Sequence, residues 1–170
     1  MTTTTATRRH DWAAAGTEPP ARVRTCFVLD ADVEEAARFW ISLLPDSEFE
    51  HAYRTPEGGT HIVEFTLAGA PYMLFNASFG KEHTPAASIS VLAATQAEVD
   101  RLWAALTDGG SEVECGWCKD RYGVHWQVVP DVLPRLLHAD DKDAATRAFN
   151  AMLHMKKMDI AELESAFAGR

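Results

Sequence analysis

The chain has 170 residues, 46% hydrophobic and 24% charged, enough for one substantial core or for two small halves that share one. Its formal charge of −9 comes from 25 acidic against 16 basic residues, and no Lys/Arg cluster follows a phosphate backbone, which argues against a nucleic-acid partner. No apolar run approaches the roughly 20 residues of a membrane span, so no membrane partner is expected, and three cysteines, Cys26, Cys115 and Cys118, do not make a secreted disulfide framework.

In chain order, residues 1–21 are rich in Thr, Ala and Pro without apolar periodicity and read as a flexible leader. Arg8-Arg9 is followed by His10-Asp11-Trp12 where a twin-arginine signal needs apolar residues, so the expected location is the cytoplasm. From residue 22 the sequence matches itself at an offset of 63: Val28 recurs as Val91, Leu29 as Leu92, Glu35 as Glu98, Arg38 as Arg101, Trp40 as Trp103 and Leu43 as Leu106. Each copy begins with a short apolar run, 26–29 or 88–92, predicting a strand. A cap follows, Asp32 or Thr95, with Glu35 or Glu98 three residues on: a capping box in which the cap accepts from the N3 amide and the carboxylate reaches back. Apolar residues at helical spacing predict a helix after each cap, ended by Pro45 in one copy and Gly109-Gly110 in the other.

After the first helix, strands are predicted at 48–54, 61–67 and 72–76. After the second they are predicted at 111–114, 115–119 and 124–129, with a turn at 120–123. The expectation is an α+β fold of paired βαβββ modules at 22–130 (repeats 22–80 and 85–130), because one module alone exposes an apolar sheet face. A helical extension at 131–170 completes it, with Ala144, Ala148, Met152 and Met155 on one helix and Asp159 capping another.

The run Cys115-Gly116-Trp117-Cys118-Lys119-Asp120-Arg121-Tyr122-Gly123-Val124-His125-Trp126-Gln127-Val128-Val129-Pro130 resembles the signature that closes PhnB-like domains, also labelled 3-demethylubiquinone-9 3-methyltransferase domains. Ala36-Ala37-Arg38-Phe39-Trp40, Leu44-Pro45-Asp46-Ser47 and Met155-Lys156-Lys157-Met158-Asp159-Ile160 are similar to other parts of that family. The resemblance implies the glyoxalase/bleomycin resistance/dioxygenase fold of the vicinal oxygen chelate superfamily, a homodimer, and a small-molecule cleft lined by curled sheet. Metal-using members place His or Glu on the first, fourth, fifth and eighth strands. Aligned by the helix caps and the Gly123 turn, those positions fall at Thr25, Phe75-Asn76, Ala86 and Gln127, so no metal is expected. The methyltransferase label finds no support in the residues, since no Gly-rich strand-to-helix loop is present to hold a nucleoside cofactor. No cofactor is therefore expected.

His125 and Gln127 alternate on one face of the last strand. His125 reads either as a general base or hydrogen-bond donor facing the cleft or as a strand-end His partly in solvent, and Lys119 or Asn76 is a candidate to polarise a substrate oxygen. Phe75, Asn76, Phe79, Cys115, Trp117, Asp120 and Gln127 are candidate ligand contacts, and Tyr72 a further pocket-wall candidate. His61 shares a face with Val63, Phe65 and Leu67, which admits the cleft or its rim but reads first as a structural position. For Lys119-Asp120 a surface ion pair and a loop over the cleft both stay open. Cys115 and Cys118 have dithiol spacing but no following helix, so two free thiols are expected. The function expected is binding of a small, partly apolar molecule in a metal-free cleft. The alternatives are an enzyme of methyltransferase or isomerase/lyase type using His125, and a sequestering protein of the antibiotic-resistance type.

Overall fold

The computed structural model describes residues 21–56, 58–78, 80 and 82–170, so nearly all of the expected leader lies outside the described residues. The first module runs β1 (Thr25–Leu29), α1 (Val33–Leu43), β2 (Glu48–Arg54), β3 (Thr60–Leu67) and β4 (Ala70–Asn76). The second runs β5 (Ile89–Ala93), α2 (Gln96–Thr107), β6 (Ser111–Glu112), β7 (Trp117–Lys119) and β8 (His125–Pro130). Their sheets have the same order, β1-β4-β3-β2 and β5-β8-β7-β6, and in each the first strand is parallel to the last. The repeat in the sequence is thus a repeat in space.

Both helices start where the caps predict. Asp32 accepts from the amides of Glu34 (2.9 Å) and Glu35 (3.1 Å), and Thr95 from that of Glu98 (3.2 Å). The reciprocal half of each box differs from expectation. Glu98 reaches back to the Ala94 amide (2.9 Å), one residue before the cap, while Glu35 accepts from the Tyr122 hydroxyl at 3.3 Å.

Val33, Ala36, Ala37, Trp40 and Leu43 of α1 bury against Phe27, Leu29, Val63, Phe65 and Leu74; Val99, Leu102, Trp103 and Leu106 of α2 bury with Val91, Trp126 and Val128. All belong to one cluster spanning both modules, joined where Trp40 meets Trp126 edge-on at 5.4 Å. Truncating a buried indole of this kind costs about 3–5 kcal/mol. Gly110 permits the close crossing of the α2 exit over β7, because a Cβ there would stand 2.0 Å from the Lys119 carbonyl oxygen.

The extension folds as α3 (Val132–Leu137), α4 (Lys142–Met152) and α5 (Ile160–Phe167). Helix α3 is an addition to the sequence expectation. Met155, expected on the same helix as Ala144, lies beyond the end of α4, and its side chain packs with Leu133, Met158 and Leu163 against Val129. Two left-handed residues, Cys115 (φ 59°) and Gly116 (φ 76°), replace the strand start expected there. Their amides donate to the carbonyls of Met155 and Lys156, each at 2.7 Å, and so tie the extension to the second sheet.

Candidate functional site

Side-chain alternation gives each sheet one face against its helix and one open face. On the first sheet the open face carries Cys26 and Val28 of β1, Ile62 and Glu64 of β3, and Met73 and Phe75 of β4, because Phe27, Leu29, Val63, Phe65 and Leu74 face the core. On the second it carries Ser90, Trp117, Lys119, His125 and Gln127, alternating with buried Val91, Cys118, Trp126 and Val128. Register then sets neighbours: Trp117 opposite Gln127, Lys119 opposite His125, and Ser90 opposite Gln127.

A cleft of about 650 Å³ runs along the β1 edge between Cys26, Phe27, Val28, Ala77, Ser78 and Ala87, and His83, Asp30 and Glu82 add polar groups to its wall. A second recess of about 330 Å³ shares Val28, Asp30, Glu82 and His83 and extends to Lys119, Arg121 and Tyr122 of the second module. The segment between the modules closes over this edge. His83 Nε2 lies 2.9 Å from the Val28 carbonyl oxygen, and its ring packs on Phe27 at 5.6 Å. Sequence reasoning did not single out His83, a lone His in a Pro-containing linker.

The structure puts the expected site residues in different places. Lys119, His125, Trp117, Gln127 and Phe75 lie on open faces. Gln127 donates to the Ser88 hydroxyl at 2.8 Å, and Phe75 packs on His61 at 4.6 Å. The strand pairing steps from Ile62 to Thr60 and skips His61, which explains why His61 reaches Phe75 while Val63, Phe65 and Leu67 stay in the core. Asn76 ends β4 half-buried, opposite Leu29, and Cys115 sits at the tail junction described above. Phe79 lies outside the described residues. Tyr72 is not a pocket wall: it packs against Phe27 and Phe65 in the core.

Asp120 is placed inside, 2% exposed, and makes no ion pair with Lys119. One carboxylate oxygen accepts from the Tyr122 and Val124 amides, both at 2.9 Å. The other accepts from the indoles of Trp40 (3.0 Å) and Trp126 (2.9 Å). Burial pushes this carboxyl up from its ordinary value, against the pull of the four N–H donors. The arrangement ties helix α1 of one module to the last turn and strand of the other.

A charged group on the first sheet went unrecognised in the sequence. Arg24, its side chain 9% exposed, pairs with Glu50 and lies 3.6 Å from Glu64, and it also donates to the carbonyls of Phe65 and Tyr72. Thr66 donates to Glu50 at 2.7 Å. The Arg24 hydrogen bond holds the Glu50 carboxyl below the usual carboxylate range. Its donors are spent on the protein itself, so this is a clamp from the residue before β1 onto β4, β3 and β2.

All three cysteines are free thiols. Cys118 is buried beside Trp126, and burial together with the Asp120 charge pushes its thiol up to about 12. A thiol so shifted is a poor nucleophile and a poor metal ligand.

The donor set does not fit the metal of the superfamily. Thr25 lies on the core side of β1 and Ala86 precedes β5, so the open-face counterparts of those strands are Cys26 and Ser90. With Phe75 and Gln127 they offer a thiol, a hydroxyl, a ring and an amide, where a divalent ion needs carboxylates and imidazoles. Among the described residues no group of three His, Cys, Asp or Glu side chains is placed to hold an ion. Nor is any described helix long and apolar enough to cross a membrane.

The sequence profile of the 3-demethylubiquinone-9 3-methyltransferase family matches residues 21–129. Among solved structures, a putative 3-demethylubiquinone-9 3-methyltransferase, PhnB protein, from Bacillus cereus is 27% identical with a TM-score of 0.61, over 65% of this chain and 99% of that one. A fosfomycin resistance protein, FosX, from Listeria monocytogenes is 12% identical with a TM-score of 0.52, over 72% of this chain and 100% of that one; this likeness shows the fold alone. No curated protein matches the sequence. The family match over the two modules and their repeated topology agree: the chain belongs to the 3-demethylubiquinone-9 3-methyltransferase family, the PhnB-like branch of the vicinal oxygen chelate superfamily.

Proposed function

We propose that this chain binds a small, partly apolar molecule in the cleft along the β1 edge, holding it by side chains without a metal ion. The observation that carries this is the cleft of about 650 Å³ whose walls, Cys26, Phe27, Val28, Ala77 and Ala87, are mainly apolar with a few polar groups at the rim. That volume and lining suit a metabolite-sized ligand. Three free thiols fit a reducing compartment such as the cytoplasm. β5 ends the second four-stranded sheet, an edge on which a second copy could pair, and light scattering on the purified protein tests that state.

Ala87 is exposed at the cleft wall, so Ala87→Trp fills the space without disturbing the core. Titration with indole as a probe should give saturable binding that this substitution abolishes and that a chelator leaves unchanged. Equal binding by both proteins, or none by either, would overturn the proposal. Turnover of the bound molecule is the alternative favoured by His125, whose imidazole stands on the open face beside Lys119. His125→Ala separates the two: an isomerase or methyltransferase loses turnover, while a sequestering protein keeps most of its binding.

A further inference from the structure

The proposed binding site leaves open what kind of polar group the ligand carries, and the second sheet bears on this. Lys119 and His125 are directly opposed across β7 and β8 on the open face, which sets their Cβ atoms about 4.5–5.5 Å apart. Among the described residues the Lys119 ammonium, which is exposed, has no carboxylate partner, since its neighbour Asp120 turns inward to four N–H donors. His125 makes no hydrogen bond among the described residues either. Its Nδ1 is buried without a partner, so Nε2 is the ring nitrogen that reaches the open face.

Those facts select a tautomer for the neutral ring. A proton on Nδ1 would strand an N–H donor in a dry position and leave the accessible nitrogen bare. A proton on Nε2 places the donor where water or a ligand accepts it. His125 then stands beside Lys119 as a second donor, with no lone pair at its accessible nitrogen to take up a proton.

Resting on the proposed cleft, we infer that Lys119 Nζ and His125 Nε2–H together receive a carboxylate oxygen of the ligand, whose apolar body lies in the adjoining cleft. Asp30 and Glu82 line the same recess as Lys119, and Arg121 beside it is already paired with Asp108 at 2.6 Å. The surroundings therefore favour a monoanion over a dianion such as phosphate. Gln127, one residue pair along, has its amide nitrogen committed to Ser88, which leaves its oxygen as an acceptor for a hydroxyl on the same ligand.

Three probes of one shape and different charge test this: benzoate, benzamide and benzylamine, titrated calorimetrically into the full chain. Benzoate should bind most tightly. Lys119→Gln should weaken benzoate by about tenfold, as loss of a charge-assisted bond does, and leave benzamide nearly unchanged. His125→Gln, which keeps an amide donor, should retain more benzoate affinity than His125→Phe. Benzoate no tighter than benzamide, or indifferent to Lys119→Gln while Ala87→Trp still blocks it, overturns the carboxylate site and leaves the cleft standing. No binding by any of the three, or binding that Ala87→Trp spares, overturns both. Long-range nitrogen–proton NMR reads the ring without a ligand: the neutral His125 should carry its proton on Nε2, and a proton on Nδ1 would contradict the donor role.

Discussion

Replacing Asp120 by Asn changes one atom in the connection between the two modules. The native carboxylate offers one oxygen to the Tyr122 and Val124 amides and the other to the indoles of Trp40 and Trp126. Asn keeps one oxygen and turns an NH2 towards whichever pair of donors it does not serve. The two indoles are fully buried, with Trp40 and Trp126 both at 0% exposure, and the Val124 amide belongs to a residue equally buried. An unsatisfied buried donor costs about 1–3 kcal/mol, which for two gives about 2–6 kcal/mol before relaxation, and loss of the desolvated charge offsets part of that. The expected net loss is about 2–4 kcal/mol, a large part of the 5–15 kcal/mol typical of a domain. Equilibrium unfolding in urea, followed by tryptophan fluorescence, measures it. Trp40→Phe removes one of the donors, so the double variant should be less destabilised than the two single losses summed. A change below about 0.5 kcal/mol for Asp120→Asn would refute the reasoning, because a surface substitution does no more than that.

Gly116→Ala should loosen the C-terminal extension, since the new Cβ would meet Met158 Cε at 2.7 Å and the Val128 carbonyl oxygen at 2.9 Å in a left-handed residue. A loss of about 1–3 kcal/mol and faster hydrogen exchange around residues 155–160 are expected. With an aromatic disulfide reagent near neutral pH, exposed Cys26 should react readily, whereas Cys118, its thiol pushed up to about 12, should react only on unfolding; quick modification of all three thiols in the native protein would contradict this. Glu50 has its carboxyl held low in the folded chain by Arg24, so the stability it adds is present above the ordinary carboxylate range and lost as pH falls through and below it. Glu50→Gln should lower stability at neutral pH and make the acid limb of a stability-versus-pH curve shallower; an unchanged acid limb would count against the clamp.

The repeat was legible because local signals and topology agree: Asp32 and Thr95 cap where they stand, and Trp40 and Trp103 bury at matched positions. Alternation in 125–130 likewise places His125 and Gln127 on one face, as the structure has them. Asp120 was illegible for a physical reason. A polar residue between Lys119 and Arg121 in a turn looks solvated, and only the folded chain brings two indoles from 80 and 6 residues away onto its second oxygen. Arg24 was hidden the same way, since its partners Glu50 and Glu64 come from other strands. Met155 fitted a helical period, yet its backbone carbonyl serves Cys115 beyond the end of α4, a contact that periodicity cannot contain. The linker His83 carries no periodic signal, and its role comes from lying along the β1 edge.

Native mass spectrometry with elemental analysis of freshly purified protein addresses the metal-free cleft most directly. A chain mass free of stoichiometric divalent metal, with any retained small molecule displaced in Ala87→Trp, is the expected result. One equivalent per chain of zinc, nickel or manganese that survives a chelator, and is lost on substitution of an open-face residue such as Gln127, would contradict it.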